Sequence, residues 1–159
     1  MTTTAPQATR TAYALWLTAV AAGAFETVLA IGRMAADGTG SPGEIGVGLA
    51  IRLSVFTAAV LVARRMRDGA RWARIVLALG LGVLGTASMV LQPLGHLLDG
   101  GSIVAAAEGA GALDWVFGAS RAVHVGAVLT AVLLMFLPAS NAWFHRTASQ
   151  PKALRRPVA

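Results

Sequence analysis

The chain has 159 residues, 56% of them apolar and 13% charged, with a net charge of +6 and a mean hydropathy of +0.67. That balance belongs to an integral membrane protein of one domain, 1–159, with no room for a separate soluble domain beside several spans. There is no cysteine, so disulfides, thiolate catalysis, iron–sulfur clusters and cysteine-bound zinc are excluded. The positive charge flanks apolar segments instead of forming a solvated basic face, which argues for membrane orientation and against nucleic acid as a partner.

Residues 1–9 are small and polar and read as disordered. The first apolar segment runs from about Thr11 to Ala35 and is expected to remain as a span. It is too long for the apolar region of a signal peptide, and it contains Glu26. Ser41-Pro42-Gly43-Glu44 has the form of a capping box, with Ser41 as N-cap, Pro42 at N1 and Glu44 at N3. It opens a second span from Pro42 to Met66. Asp68 is placed to cap a third, Gly69 to Leu91, after a very short turn. The 92–113 stretch is an outer loop, in which Ser102 could cap a short helix through Glu108 that Gly109–Gly111 would end. The fourth span runs from Asp114 to Leu137, where Pro138 closes it. Residues 147–159 read as a disordered basic tail. Each span exceeds the ~20 residues needed to cross a bilayer, so the expected fold is an all-α, antiparallel four-helix membrane bundle.

Charge then orients it. Arg10, the 64–74 turn (Arg64, Arg65, Arg67, Arg71, Arg74) and the tail (Arg146, Lys152, Arg155, Arg156) share one side with the single acid Asp68. Asp37, Glu44, Asp99, Glu108 and Asp114 fall on the other, with Arg33 at its edge. Both termini are expected in the cytoplasm. Arginine-rich, Ala/Gly/Val-rich usage is associated with bacteria, which makes the expected location the bacterial cytoplasmic membrane. Trp16, Trp72 and Trp143 are expected at the inner interface and Trp115 at the outer, with Trp143-Phe144-His145-Arg146 as an interfacial anchor.

The intramembrane polar residues carry the functional signal. Glu26, Arg52 and His124 each lie ~15 Å from the outer end of their spans, at 1.5 Å per residue. Arg121 is one turn above His124, and Gln92 and His96 end the third span. Small residues share their faces: Ala19, Ala22, Gly23 and Ala30 with Glu26; Gly48, Ala59 and Ala63 with Arg52; Gly85 and Ser88 with Gln92. Such faces pack inward. An isolated charge at a helix centre costs about 2.5–3.5 kcal/mol, so a Glu26–Arg52 ion pair is expected, with Arg121 or His124 as second partners.

Two readings follow. A buried pair can simply fix helix register. A cluster of one acid, two arginines and one or two histidines can equally line a polar cavity that opens outward. In that case Glu26 and His124 are the catalytic acid–base candidates, and Arg52, Arg121, Gln92 and His96 the substrate-binding ones. His96-x-x-Asp99 with His124 and Glu26 is a weak metal pattern beside two repelling arginines, and axial haem ligation by His96 and His124 has no other support. No metal or cofactor is expected.

The layout with a glutamate in span one resembles the small multidrug resistance transporters, which implies proton-coupled export with Glu26 as the carboxylate. The chain departs from them in its charge bias, its long 92–113 loop and an arginine placed to neutralise that glutamate. The four-helix plan also resembles DoxX-like membrane proteins. Arg71-Trp72-Ala73-Arg74-Ile75-Val76-Leu77 and Leu137-Pro138-Ala139-Ser140-Asn141-Ala142 resemble small four-span membrane proteins of actinobacteria.

Three function classes follow. One is a protein that binds, or also transforms, a lipid- or isoprenoid-like amphiphile. The others are a non-catalytic accessory subunit with a membrane protein partner or a second copy of itself, and a small transporter. Membrane lipids are partners in all three.

Overall fold

In the computed structural model, which describes residues 4–149, the chain is all-helical. The elements are α1 (Gln7–Ala36), α2 (Pro42–Arg67), α3 (Arg71–Leu77), a π-helical stretch (Ala78–Gly85), α4 (Thr86–Leu98), α5 (Ile103–Glu108), α6 (Ala112–Met135) and α7 (Pro138–Ser149). Four stretches are long and apolar enough to cross a membrane: Gln7–Ala36, Pro42–Arg67, Arg71–Leu91 and Ala112–Met135. α1 packs chiefly on α6 and then on α2, while α2 turns back onto α3.

The capping box at α2 forms as expected. Glu44 N–H donates to Ser41 Oγ, and Ser41 N–H donates to the Glu44 carboxylate at 2.8 Å. At the next turn the sequence reading needs correction. Asp68 is the C-cap of α2, and α3 begins after Ala70 with no side-chain cap. Gly69 makes the turn possible. Its φ is +89°, and a Cβ there would lie 2.5 Å from Thr147 Cγ2 on α7.

The core sits at the basic end of the bundle. Ala12, Trp16 and Ala19 of α1 meet Ala63 and Met66 of α2, Ala73 and Leu77 of α3, Ala131 and Met135 of α6, and Trp143 and Phe144 of α7. Trp16 and Trp143 are therefore core residues, not interfacial ones. Trp16 Nε1–H donates to Met135 Sδ at 3.4 Å, and the Trp143 ring lies edge-on to Phe144. Trp72 and Trp115 are exposed, as interface residues would be.

The first helix also starts earlier than expected. Residues 7–9 form its first turn, and Thr9 is fully buried, donating to Ser140 Oγ at 3.3 Å. A burial site under α7 overrides the polar composition of that stretch. At the other end α7 continues to Ser149, while the rest of the 147–159 tail, with Lys152, Arg155 and Arg156, lies outside the described residues.

The break between α6 and α7 explains the Leu137–Ala142 motif. A helix end leaves carbonyls without partners. Here Ser140 Oγ–H donates to Leu134 O at 2.8 Å, Arg74 donates to Met135 O at 3.3 Å, and Asn141 Nδ2–H donates to Phe136 O at 2.9 Å. Arg74 also donates to Asn141 Oδ1, and its guanidinium lies over Phe136 at 4.7 Å and Phe144 at 4.8 Å. Arg67 covers Tyr13, and Arg71 bonds to His145. Arg71 and Arg74 thus latch α7 to α3, while Arg67 ties α2 to α1.

The third span is not the uniform α-helix expected over 69–91. It widens to a π-helix over Ala78–Gly85, a stretch holding Gly80, Gly82 and Gly85, and then runs on as α4 to Leu98, into the expected outer loop. Gly82 backs onto Val132 so closely that a Cβ would be 3.0 Å from Val132 Cγ2. Beyond that contact α4 packs mainly against the π stretch it continues, and α2 buries only Ala59, Ala63 and Met66. The bundle is tight at its basic end and parted at the other.

Candidate functional site

The parting holds a cavity of about 370 Å³. Its size lies within the ordinary ~300–1,000 Å³ range of small-molecule sites. α1 contributes Ala19, Gly23, Glu26 and Ala30, α2 contributes Arg52, Phe56 and Ala59, and α6 contributes Phe117, Arg121, His124 and Val128. Leu81 and Gly85 of the π stretch and Ser88 and Met89 of α4 form the remaining wall. The small-residue faces read from helical spacing account for the space. At Gly23, a Cβ would come within 3.1 Å of Phe56 and 3.2 Å of His124, so the glycine lets both rings reach the cavity floor.

Glu26 is the most buried ionisable group here, its side chain 9% exposed. Its partner differs from the one expected. Arg121 Nη2 lies 3.6 Å from Glu26 Oε2, and His124 Nδ1 lies 3.9 Å from Oε1. Arg52 forms no ion pair with Glu26; it lines the same cavity from α2, exposed and without a carboxylate partner among the described residues. The reason is packing. α1 and α6 are the most intimately packed pair of helices, so Glu26 meets the side chains of α6 first.

Sequence reasoning missed Ser120, whose hydroxyl donates to Glu26 Oε1 at 3.4 Å. The signal was available: Ser120 precedes Arg121 and lies four residues before His124, on the same helical face. Thr27, also beside the cavity, is spent locally on Gly23 O at 2.8 Å.

Two polar atoms of the site have no hydrogen-bond partner within the described residues although they are buried: Arg121 Nε and His124 Nδ1. The separation of His124 Nδ1 from Glu26 is too long for a hydrogen bond. At the acidic end, Arg33 closes α1 onto α6 by donating to Asp114 Oδ1 at 2.7 Å, and Asp114 in turn accepts from Gly111 N–H at 3.0 Å. Gln92 and His96 fall on α4, and their side chains lie outside the described residues.

No family model, curated protein or solved structure matches this chain.

Chemically, the cavity joins an apolar wall to a compact polar corner. Among the described residues no three histidine, aspartate or glutamate side chains gather as a metal would need. The corner can hold a polar group by guanidinium hydrogen bonds.

Proposed function

We propose that the chain is a multi-pass protein of the bacterial cytoplasmic membrane, termini inside, whose cavity binds a lipid- or isoprenoid-like amphiphile. One observation carries the reading. Helices α1, α2 and α6 each bring ionisable side chains, near mid-span, to the wall of a single cavity that is otherwise mostly apolar. Intramembrane ionisable groups are unfavourable without a role or a partner, and facing a cavity is their usual placement. The mixed lining suits a molecule with a polar head and an apolar tail. Arg52 and Arg121 would hold the head. Glu26 and His124 would be the acid–base pair for any transformation of it.

Native mass spectrometry of the gently extracted protein tests this. One bound amphiphile per chain is expected, lost in Gly23→Val, whose side chain displaces Phe56 and His124 into the cavity. A ligand-free spectrum, or an adduct unchanged by that substitution, would overturn it.

A second reading is the accessory subunit, in which a partner helix would take the place of lipid on the exposed Val47, Leu53 and Leu61 face of α2. It expects a second protein chain in the same spectrum.

A further inference from the structure

The basic and acidic side chains facing the cavity are unequal in number. Arg52, Arg121 and Glu26 face the same space, so two guanidinium groups share one carboxylate. Arg121 takes it.

The other six acids of the chain are placed elsewhere. Glu44 is bound in its own capping box and Asp114 to Arg33 and Gly111. Asp37 lies 3.9 Å from Arg33. Asp68 and Asp99 cap the C-terminal ends of α2 and α4, and Glu108 ends α5. None forms a pair with Arg52. Yet Arg52 stands ten residues into α2, ~15 Å along its axis from Pro42, where an unpartnered guanidinium is among the least favourable side chains a span can carry. Arg121 adds a buried Nε without a partner on the same wall.

We propose that the cavity's ligand is an anionic amphiphile, its carboxylate or phosphate head seated between Arg52 and Arg121. A planar guanidinium matches such a head with paired, charge-assisted hydrogen bonds, which a neutral alcohol or hydrocarbon cannot return. The head also removes the excess positive charge, and its remaining oxygens can accept from Arg121 Nε.

The tail follows from the helix arrangement. α2 and α4 flank the cavity without packing firmly on each other, and Val55, Phe56 and Met89 form the apolar lining beside the gap. The chain of the amphiphile lies there, passing sideways between α2 and α4 toward the surrounding lipid.

This rests on the amphiphile reading above, and the two can fail separately. The test uses the purified full chain in mild detergent, with oleate, oleyl phosphate, oleyl alcohol and inorganic phosphate as probes in native mass spectrometry. Oleate or oleyl phosphate is expected to bind at one per chain, about tenfold or more tighter than oleyl alcohol, the equivalent of one charge-assisted contact. Whichever of the two anions binds better assigns the head. R52Q should erase most of that preference, and R52K should restore part of it. E26Q should tighten anion binding, because it frees Arg121; a purely structural Glu26 would give no such gain.

Equal binding of oleate, oleyl phosphate and oleyl alcohol, unaltered by R52Q, would overturn the anionic head and leave the cavity reading standing. Failure of every amphiphile to bind would overturn both. Inorganic phosphate displacing oleate at equal concentration would replace the amphiphile with a free anion and overturn the proposal.

Discussion

At the scale of single residues, the two cavity arginines have opposite relations to stability. Arg121 compensates a buried carboxylate. Its removal leaves the Glu26 side chain, 9% exposed, with only a weak hydroxyl donor and a histidine at 3.9 Å. Arg121→Gln is expected to destabilise the protein by about 2 kcal/mol, less than the ~3–5 kcal/mol of a fully buried broken pair because Arg121 itself is 43% exposed. Arg52→Gln removes a charge with no protein partner and is expected to leave stability unchanged or to raise it. Thermal unfolding of both variants in the same detergent decides the matter. The reverse ranking would reinstate the Glu26–Arg52 pair that helix depth alone favours. Arg74 offers a sharper residue-level case. It bonds to Met135 O and Asn141 and covers two aromatic rings, all with one planar group. Arg74→Lys keeps the charge and loses the fork and the stacking, so a drop of about 1–3 kcal/mol is expected despite the conservative chemistry. An unfolding midpoint equal to wild type would show that the latch depends on charge alone.

Among the elements, the turns and the π stretch separate conformational strain from steric conflict. Gly69 and Gly100 have nearly the same backbone, φ +89° and +87°. A Cβ at Gly69 meets Thr147, while at Gly100 it meets nothing within 4 Å. Gly100→Ala should therefore cost only the left-handed strain, about 1 kcal/mol, and Gly69→Ala clearly more. Equal shifts in unfolding midpoint would mean that α7 yields freely at the turn. These elements also show what the sequence discloses. Four long apolar runs and the Ser41–Glu44 box are visible because span length and capping are local properties. The common depth of Glu26, Arg52 and His124 is visible too, since depth needs only the rise per residue. Which arginine reaches Glu26 is not visible, because rotation of α6 against α1 is set by packing. The π stretch is equally hidden: Gly80, Gly82 and Gly85 read as small-residue packing, and only the contact of Gly82 with Val132 reveals the tight approach. Trp143 and Phe144 look interfacial until Pro138 folds α7 back over the core.

For the whole molecule, the two ends are built differently. The basic end is sealed by Trp16, Met66, Met135 and Phe144, all 0–1% exposed, while the other end parts around the cavity. Contacts of Thr9 with Ser140 and of Arg74 with Asn141 place the N-terminal turn, the 68–70 turn and α7 together at the sealed end. That end carries Arg64, Arg65, Arg67, Arg71, Arg74 and Arg146, against Asp68 alone among its acids. Arginine-rich short loops are retained on the cytoplasmic side, so the sealed end should face the cytoplasm and the cavity the outer half of the membrane. The chain has no cysteine, which makes single introduced thiols unambiguous reporters. Thr39→Cys, in the exposed turn before α2, should react with a membrane-impermeant maleimide in intact cells. Asp68→Cys, in the basic turn, should react only after the membrane is opened. The opposite pattern would put the cavity in the cytoplasmic leaflet and leave charge bias unable to explain the orientation. Replacing Arg64, Arg65 and Arg67 with alanine tests the cause itself. If these charges hold the turn inside, the variant should yield a mixed population in which both positions are labelled in part. Labelling that stays at the wild-type pattern would assign the orientation to the remaining arginines of α3 and α7.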